Sequence, residues 1–196
     1  MKKAPPLTRG WRDRLGFLFF GVATGLSGLA AWQHPSVLAV LLVLHNALLS
    51  GMYLRRYPTL RYDRKGLYWG LLAAVLPTAT PLPEAPGYLL TILAILGYGL
   101  ILWSLLTLGG RFGIAPADRG LVTSGPYRLV RHPMYLGELL LRGVLAISAP
   151  NLVVALLLTL SLALIQIVRI LREEQILRGY EAYTAQTRFR LLPGVW

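Results

Sequence analysis

The sequence predicts an all-α integral membrane protein, a polytopic helical bundle of five to six membrane segments that includes a C-terminal helical hairpin. Three observations carry this. Hydrophobic residues make up 55% of 196 residues and the mean hydropathy is +0.56, too apolar for a soluble domain of this length. The apolar residues fall in runs near the roughly 20 residues that cross a bilayer. Of the 20 Lys and Arg, all but Arg142 lie between those runs.

Taken in order, the runs are about 15–32, 37–54, 67–82 and 87–108. The first is read as a retained segment: Gly10 to Arg14 places tryptophan and mixed charge before it, and no small-residue cleavage site follows. A further stretch, about 134–168, is too long for one pass, and "SAPN" (Ser148 to Asn151) is a turn signal near its middle. That stretch is therefore a helical hairpin with a short first arm. The chain shows no internal repeat and divides into a transmembrane scaffold, 1–108, and a chemistry-bearing region, 109–196, within one compact domain.

Charge supports this topology. Lys2, Lys3, Arg9, Arg12 and Arg14 precede the first run, and Arg55, Arg56, Arg61, Arg64 and Lys65 follow the second. Arg111, Arg119, Arg128 and Arg131 follow the fourth, and Arg169, Arg172, Arg178, Arg188 and Arg190 follow the last. Six segments put all four groups on one side, and the loops near 33–36, 77–86 and 148–151 carry no Lys or Arg. The positive-inside rule makes the basic side cytoplasmic, together with both termini and the site described below. The net charge of +12 is then explained by membrane orientation, and no nucleic-acid partner is expected. With no cysteine, and His34, His45 and His132 far apart, no metal site is expected either.

The first three segments read as scaffold. His45 and Asn46 are their only strongly polar pair, a pattern that usually bonds a neighbouring helix, and Gly16, Gly21, Gly25 and Gly28 have spacing suited to close helix approach. Beyond Leu108 the character changes. "VRHPMYLGE" (Val130 to Glu138) opens the hairpin, with Pro133 suited to a first helical turn and His132 just before the helix N-terminus. Tyr135, Glu138 and Arg142 stand at i, i+3 and i+7, one stripe of a helix. A lone charge there costs about 2.5 to 3.5 kcal/mol to insert, so these residues must pair or face a wet cavity. The returning arm brings Arg169, Glu173 and Glu174 to the same depth, with Arg169 and Glu173 four apart on one face. Carboxylates for an ammonium, donors for a carboxylate and the rings of Tyr127, Tyr135, Tyr180 and Tyr183 suit S-adenosylmethionine. A nicotinamide dinucleotide also has rings and anions.

"LVTSGPYRLVRHPMYLGE" followed by "REEQILRGYEAY" and "RLLPG" resembles the isoprenylcysteine carboxyl methyltransferase family and its relatives, the phospholipid methyltransferases, over residues 97–196. "GYG" (Gly97 to Gly99) is similar to a glycine motif of the latter and also fits helix packing. The resemblance implies an S-adenosylmethionine-dependent membrane methyltransferase acting on a lipophilic acceptor from the bilayer, foremost an isoprenylcysteine-like carboxylate methylated on oxygen. It implies that Leu121 and Val122 line the cofactor entrance, that Tyr127, His132, Pro133, Met134 and Tyr135 wrap the cofactor, and that Leu192 and Pro193 close over its adenine. It also implies Glu173, with Glu174 beside it, at the ammonium, and Arg169 orienting a substrate carboxylate. An amine acceptor, as in phospholipid N-methylation, needs a base, for which Glu138 or Glu174 is the candidate. The chain is shorter than the eukaryotic carboxyl methyltransferases and has Arg119 where they tend to have histidine. An NADPH-dependent sterol-type reductase, with a related acidic pair and terminal turn, is the rival reading.

Overall fold

Each apolar run becomes a helix whose ends fall at the turn residues. A computed structural model describes residues 10–76 and 87–196, so Lys2, Lys3, Arg9 and the loop at 77–86 lie outside the described residues. Helix α1 spans Trp11–Gln33, α2 Val37–Leu54, α3 Arg64–Val75, α4 Tyr88–Leu108, α5 Pro133–Ile147, α6 Leu152–Ile176 and α7 Tyr180–Gln186. The Ser36 hydroxyl caps α2 by accepting from the Ala39 N–H at 3.1 Å. Asn151 of the anticipated "SAPN" turn does the same for α6, accepting from Val154 at 3.1 Å. Pro133 takes the first turn of α5.

Helices α1, α2, α4 and α6 are long and apolar enough to cross a membrane. Among the described residues the other two anticipated segments are shorter: α3 has 12 residues, the end of its apolar run at 77–82 lying outside them, and α5 has 15. At 1.5 Å per residue α5 reaches only about 22 Å, short of a hydrocarbon core of roughly 30 Å. It packs between α4 and α6, while α3 lies along α6, where Ala73 meets Leu162 and Ile165. The main core joins Phe20, Tyr53, Ile101, Leu105, Tyr135, Leu141 and Ile170, so packing runs continuously past residue 108. Outward-facing Leu18, Val22, Leu26, Leu157 and Leu164 stay exposed, as lipid-facing side chains of a membrane bundle must.

Close helix approach comes from fewer glycines than the spacing promised. A Cβ at Gly16 would fall 2.1 Å from the Tyr53 ring, whereas one at Gly25 or Gly28 would meet nothing. Between α1 and α2, Asn46 donates to Ser27 Oγ at 3.4 Å and Ser50 donates to the Phe17 carbonyl at 3.1 Å, whereas the buried His45 Nδ1 has no hydrogen-bond partner among the described residues. Helices α4 and α5 also cross closely, backbone on backbone: a Cβ at Gly137 would sit 2.9 Å from the Gly97 carbonyl oxygen. Gly97 of "GYG" is thus a packing residue.

One feature is absent from the sequence reading. Strands β1 (Arg61–Tyr62) and β2 (Ala117–Asp118) form a two-residue antiparallel clasp joining the loops that follow α2 and α4. Asp63 receives Arg172 of α6 at 2.9 Å, and Asp118 receives Arg178 at 2.9 Å. Burial works against both carboxylates, yet their arginine and backbone N–H partners hold them below the usual aspartate range.

Candidate functional site

The "RHPMY" segment is held from behind by the C-terminal tail. Arg131 N–H donates to the Phe189 carbonyl and His132 N–H to that of Arg190, each at 2.9 Å. Glu174 is the hub of this arrangement: Arg190 grips it with Nε at 2.8 Å and Nη2 at 2.9 Å, Tyr180 donates to it at 2.9 Å, and Arg131 stands 3.4 Å away. That bidentate fork also raises the Arg190 guanidinium above its ordinary value.

In front of the wall lies a cavity of about 750 Å³ including its open mouth, at the basic end of the bundle. Seven anticipated cofactor residues line it: Leu121, Val122, Tyr127, His132, Met134, Tyr135 and Glu173. Tyr180 and Tyr183 of α7 complete its aromatic side. Burial pushes the phenols of Tyr127, Tyr180 and Tyr183 up, the last to about 12, so these rings are neutral at ordinary pH. The His132 ring stacks on Tyr135, centroids 5.7 Å apart and nearly parallel.

Four anticipated residues are elsewhere. Pro133 is buried and opens α5 without lining the cavity, because the start of the helix points its ring into the core. Glu174 faces the tail, where Arg190 consumes its oxygens. Leu192 and Pro193 sit outward in the terminal turn, and Leu191 is the tail residue that joins the core. The tail braces the wall and does not cover the cavity.

Behind Tyr135 runs a buried polar chain. Tyr135 donates its hydroxyl to Glu173, and the Arg169 guanidinium lies over the Tyr135 ring, 4.7 Å from its centroid. Arg169 Nη1 donates to Gln166 Oε1 at 3.0 Å, and the Gln166 amide donates to Glu138. Arg169 and Glu173 therefore do not form the ion pair that their spacing allows; they flank one tyrosine. Arg169 and Glu138 lie behind the lining, and Glu138 is reached through Gln166. Gln166 is fully buried and went unnoticed in the sequence, although its position one turn before Arg169 on an apolar helix was a signal.

The far end of the cavity is cationic. Arg111 and Arg119 line it together with Phe112, Gly113 and Gly120, next to the β1–β2 clasp. A Cβ on Gly113 would fall 2.1 Å from Arg56 Nη2 and 2.8 Å from Arg119 Nη1, so glycine is what lets the guanidiniums gather. Among the described residues no group of His, Asp and Glu is suited to hold a metal ion.

Fold and cavity define a membrane-embedded helical protein with a polar, aromatic-lined site at the end of its bundle. Residues 91–184 match the family model of the phospholipid methyltransferases, just under half of the chain. The match runs from α4 into α7 and contains every residue that lines the cavity. It supports a membrane methyltransferase, and it names the phospholipid branch of the anticipated group, not the isoprenylcysteine branch. No curated protein matches the chain.

Proposed function

We propose that the chain is an S-adenosylmethionine-dependent integral membrane methyltransferase with a lipophilic acceptor, and that the cavity is its cofactor site. The observation that carries this is Glu173: it is the single carboxylate in the lining among the described residues, fixed by Tyr135 beside stacked aromatic rings. A carboxylate next to neutral aromatic faces fits a ligand that bears an ammonium, a sulfonium and a purine. Glu173 would hold the ammonium; Tyr127, His132, Tyr135 and Met134 would enclose the rest, with Leu121 and Val122 at the mouth. The bound cofactor supplies an electrophilic methyl group.

The protein's part is positioning and exclusion of water. Gln166 holds Arg169 in one orientation, and Arg169 in turn fixes Tyr135 from its face. Arg169 then serves the acceptor side, as the substrate-orienting residue. Two acceptors suit this site: an isoprenylcysteine-like carboxylate, which needs no base, and a phospholipid amine, with which the family match is equally consistent. For the amine, Glu174 is committed to Arg190, which leaves Glu138, bonded by Gln166 behind the lining, as the candidate base. By the positive-inside rule the cavity opens to the cytoplasm.

The test is transfer of a labelled methyl group from S-adenosylmethionine into lipid by membranes containing the protein. Label is expected in the lipid fraction and is expected to vanish with Glu173→Gln. Equal incorporation by the variant would remove Glu173 from the site.

A further inference from the structure

Glu173 has a second polar group beside it. Its Oε1 accepts the Tyr135 hydroxyl, and its Oε2 stands 3.7 Å from Nδ1 of the buried His132 ring. Whether that nitrogen offers a proton or a lone pair decides what the site can hold. The residues behind the wall bear on this. Tyr180 is a neutral phenol with one proton, and its oxygen lies 2.9 Å from Glu174 Oε1. Two oxygens that close need a hydrogen between them, and a carboxylate gripped by both arms of the Arg190 fork has none to give. The Tyr180 proton therefore goes to Glu174. His132 Nε2 is 3.2 Å from the same phenol oxygen and must donate to it. A neutral imidazole carries one N–H, so Nδ1 keeps its lone pair beside the Glu173 carboxylate.

Two acceptors side by side are unfavourable alone and call for a donor between them. An ammonium has three N–H groups and can lie about 2.9 Å from both. We propose that His132 Nδ1 is the second acceptor for the ammonium of the methyl donor, and that Arg190 is the positioning residue that keeps the His132 proton on Nε2. The proposal rests on the reading of Glu173 as the ammonium anchor. Neither Arg190 nor Glu174 lines the cavity, so the Arg190 side chain acts only through Glu174, Tyr180 and His132. Without Arg190, Glu174 is free to turn to Arg131, 3.4 Å away, and the relay that orders the imidazole is broken. A proton on Nδ1 would then donate to Glu173 and take the place of the ligand.

The purified full chain in detergent is titrated with S-adenosylhomocysteine and with its deamino analogue, in which hydrogen replaces the amino group. The ratio of the two affinities isolates the ammonium, wherever the shared carboxylate and purine lie. The wild type is expected to favour S-adenosylhomocysteine, and His132→Gln to cut that preference by about tenfold, the scale of one hydrogen bond to a charged group. His132→Asn, whose amide oxygen can stand where Nδ1 stood, is expected to keep most of it. Arg190→Gln is expected to cut the preference by about threefold or more while the analogue binds as before, and Arg190→Lys to restore part of it. Nitrogen NMR of the histidine rings, which needs no variant to fold, is expected to show the wild-type His132 proton on Nε2 and a shift of Nδ1 when S-adenosylhomocysteine is added. Equal losses of both ligands in His132→Gln and Arg190→Gln would make the two residues wall alone and overturn the proposal. So would a proton on Nδ1 in the wild type. In either case S-adenosylhomocysteine still binds and the cofactor reading stands, whereas a wild type that binds neither nucleoside would remove that reading and the proposal together.

Discussion

Tyr135 is the residue on which the site turns. Its hydroxyl meets Glu173, and its ring stacks with His132 and carries Arg169 over a face. Glu173→Ala is expected to abolish S-adenosylhomocysteine binding while the protein still elutes as a monodisperse species in detergent; unchanged affinity would remove Glu173 from the cofactor. Arg169→Ala is expected to spare cofactor binding and to lower turnover by about tenfold or more, the scale of a lost orienting contact. Equal loss of both would place Arg169 on the cofactor side. The spacing of Arg169 and Glu173 was legible in the sequence because both stand on one helix face. The ring between them was not, since it arrives from a different helix. The same holds for Gln166: helical spacing shows that it shares a face with Arg169, but only packing against α5 shows that Glu138 is its other partner.

At the scale of elements, two devices fix the cavity. Helices α4 and α5 approach through Gly97 and Gly137, and Gly137→Ala places a methyl against the Gly97 carbonyl and the Ile101 side chain. The expected cost is about 1–3 kcal/mol, seen as a lower thermal midpoint in detergent, because backbone must move to admit it. Gly25→Ala, which meets nothing, serves as the silent comparison. The second device is the β1–β2 clasp with Asp63 and Asp118. Both carboxyls are held below the unfolded aspartate value of about 3.9, so their stabilisation is complete above that pH and is lost as pH falls through the lower folded values. Acidification below about pH 4 is therefore expected to open the clasp, detected as protease cleavage within 55–65 or 111–120, and Asp118→Asn is expected to show that cleavage already at pH 7. Cleavage that does not change with pH would deny the clasp this role. Helix positions followed from apolar run length and turn residues, whereas the clasp pairs strands too short to show any alternation.

At the scale of the molecule, hydropathy and the placement of arginine foretold a polytopic helical bundle. They did not show which arms are long and which are short. Helix α5 is apolar enough to be counted as a membrane arm, yet Pro133 and the "SAPN" turn limit it to 15 residues. The terminal "RLLPG" suggests a lid; in the fold its own Arg190 and the preceding Phe189 pin the cavity wall, a long-range contact that no local pattern encodes. The central claim is that this cavity receives a methyl donor. Calorimetric titration of the purified protein with S-adenosylhomocysteine and, separately, with NADPH tests it most directly. Binding of S-adenosylhomocysteine alone, lost in Glu173→Ala, is the predicted result, and binding of NADPH alone would contradict the account and make the protein a reductase.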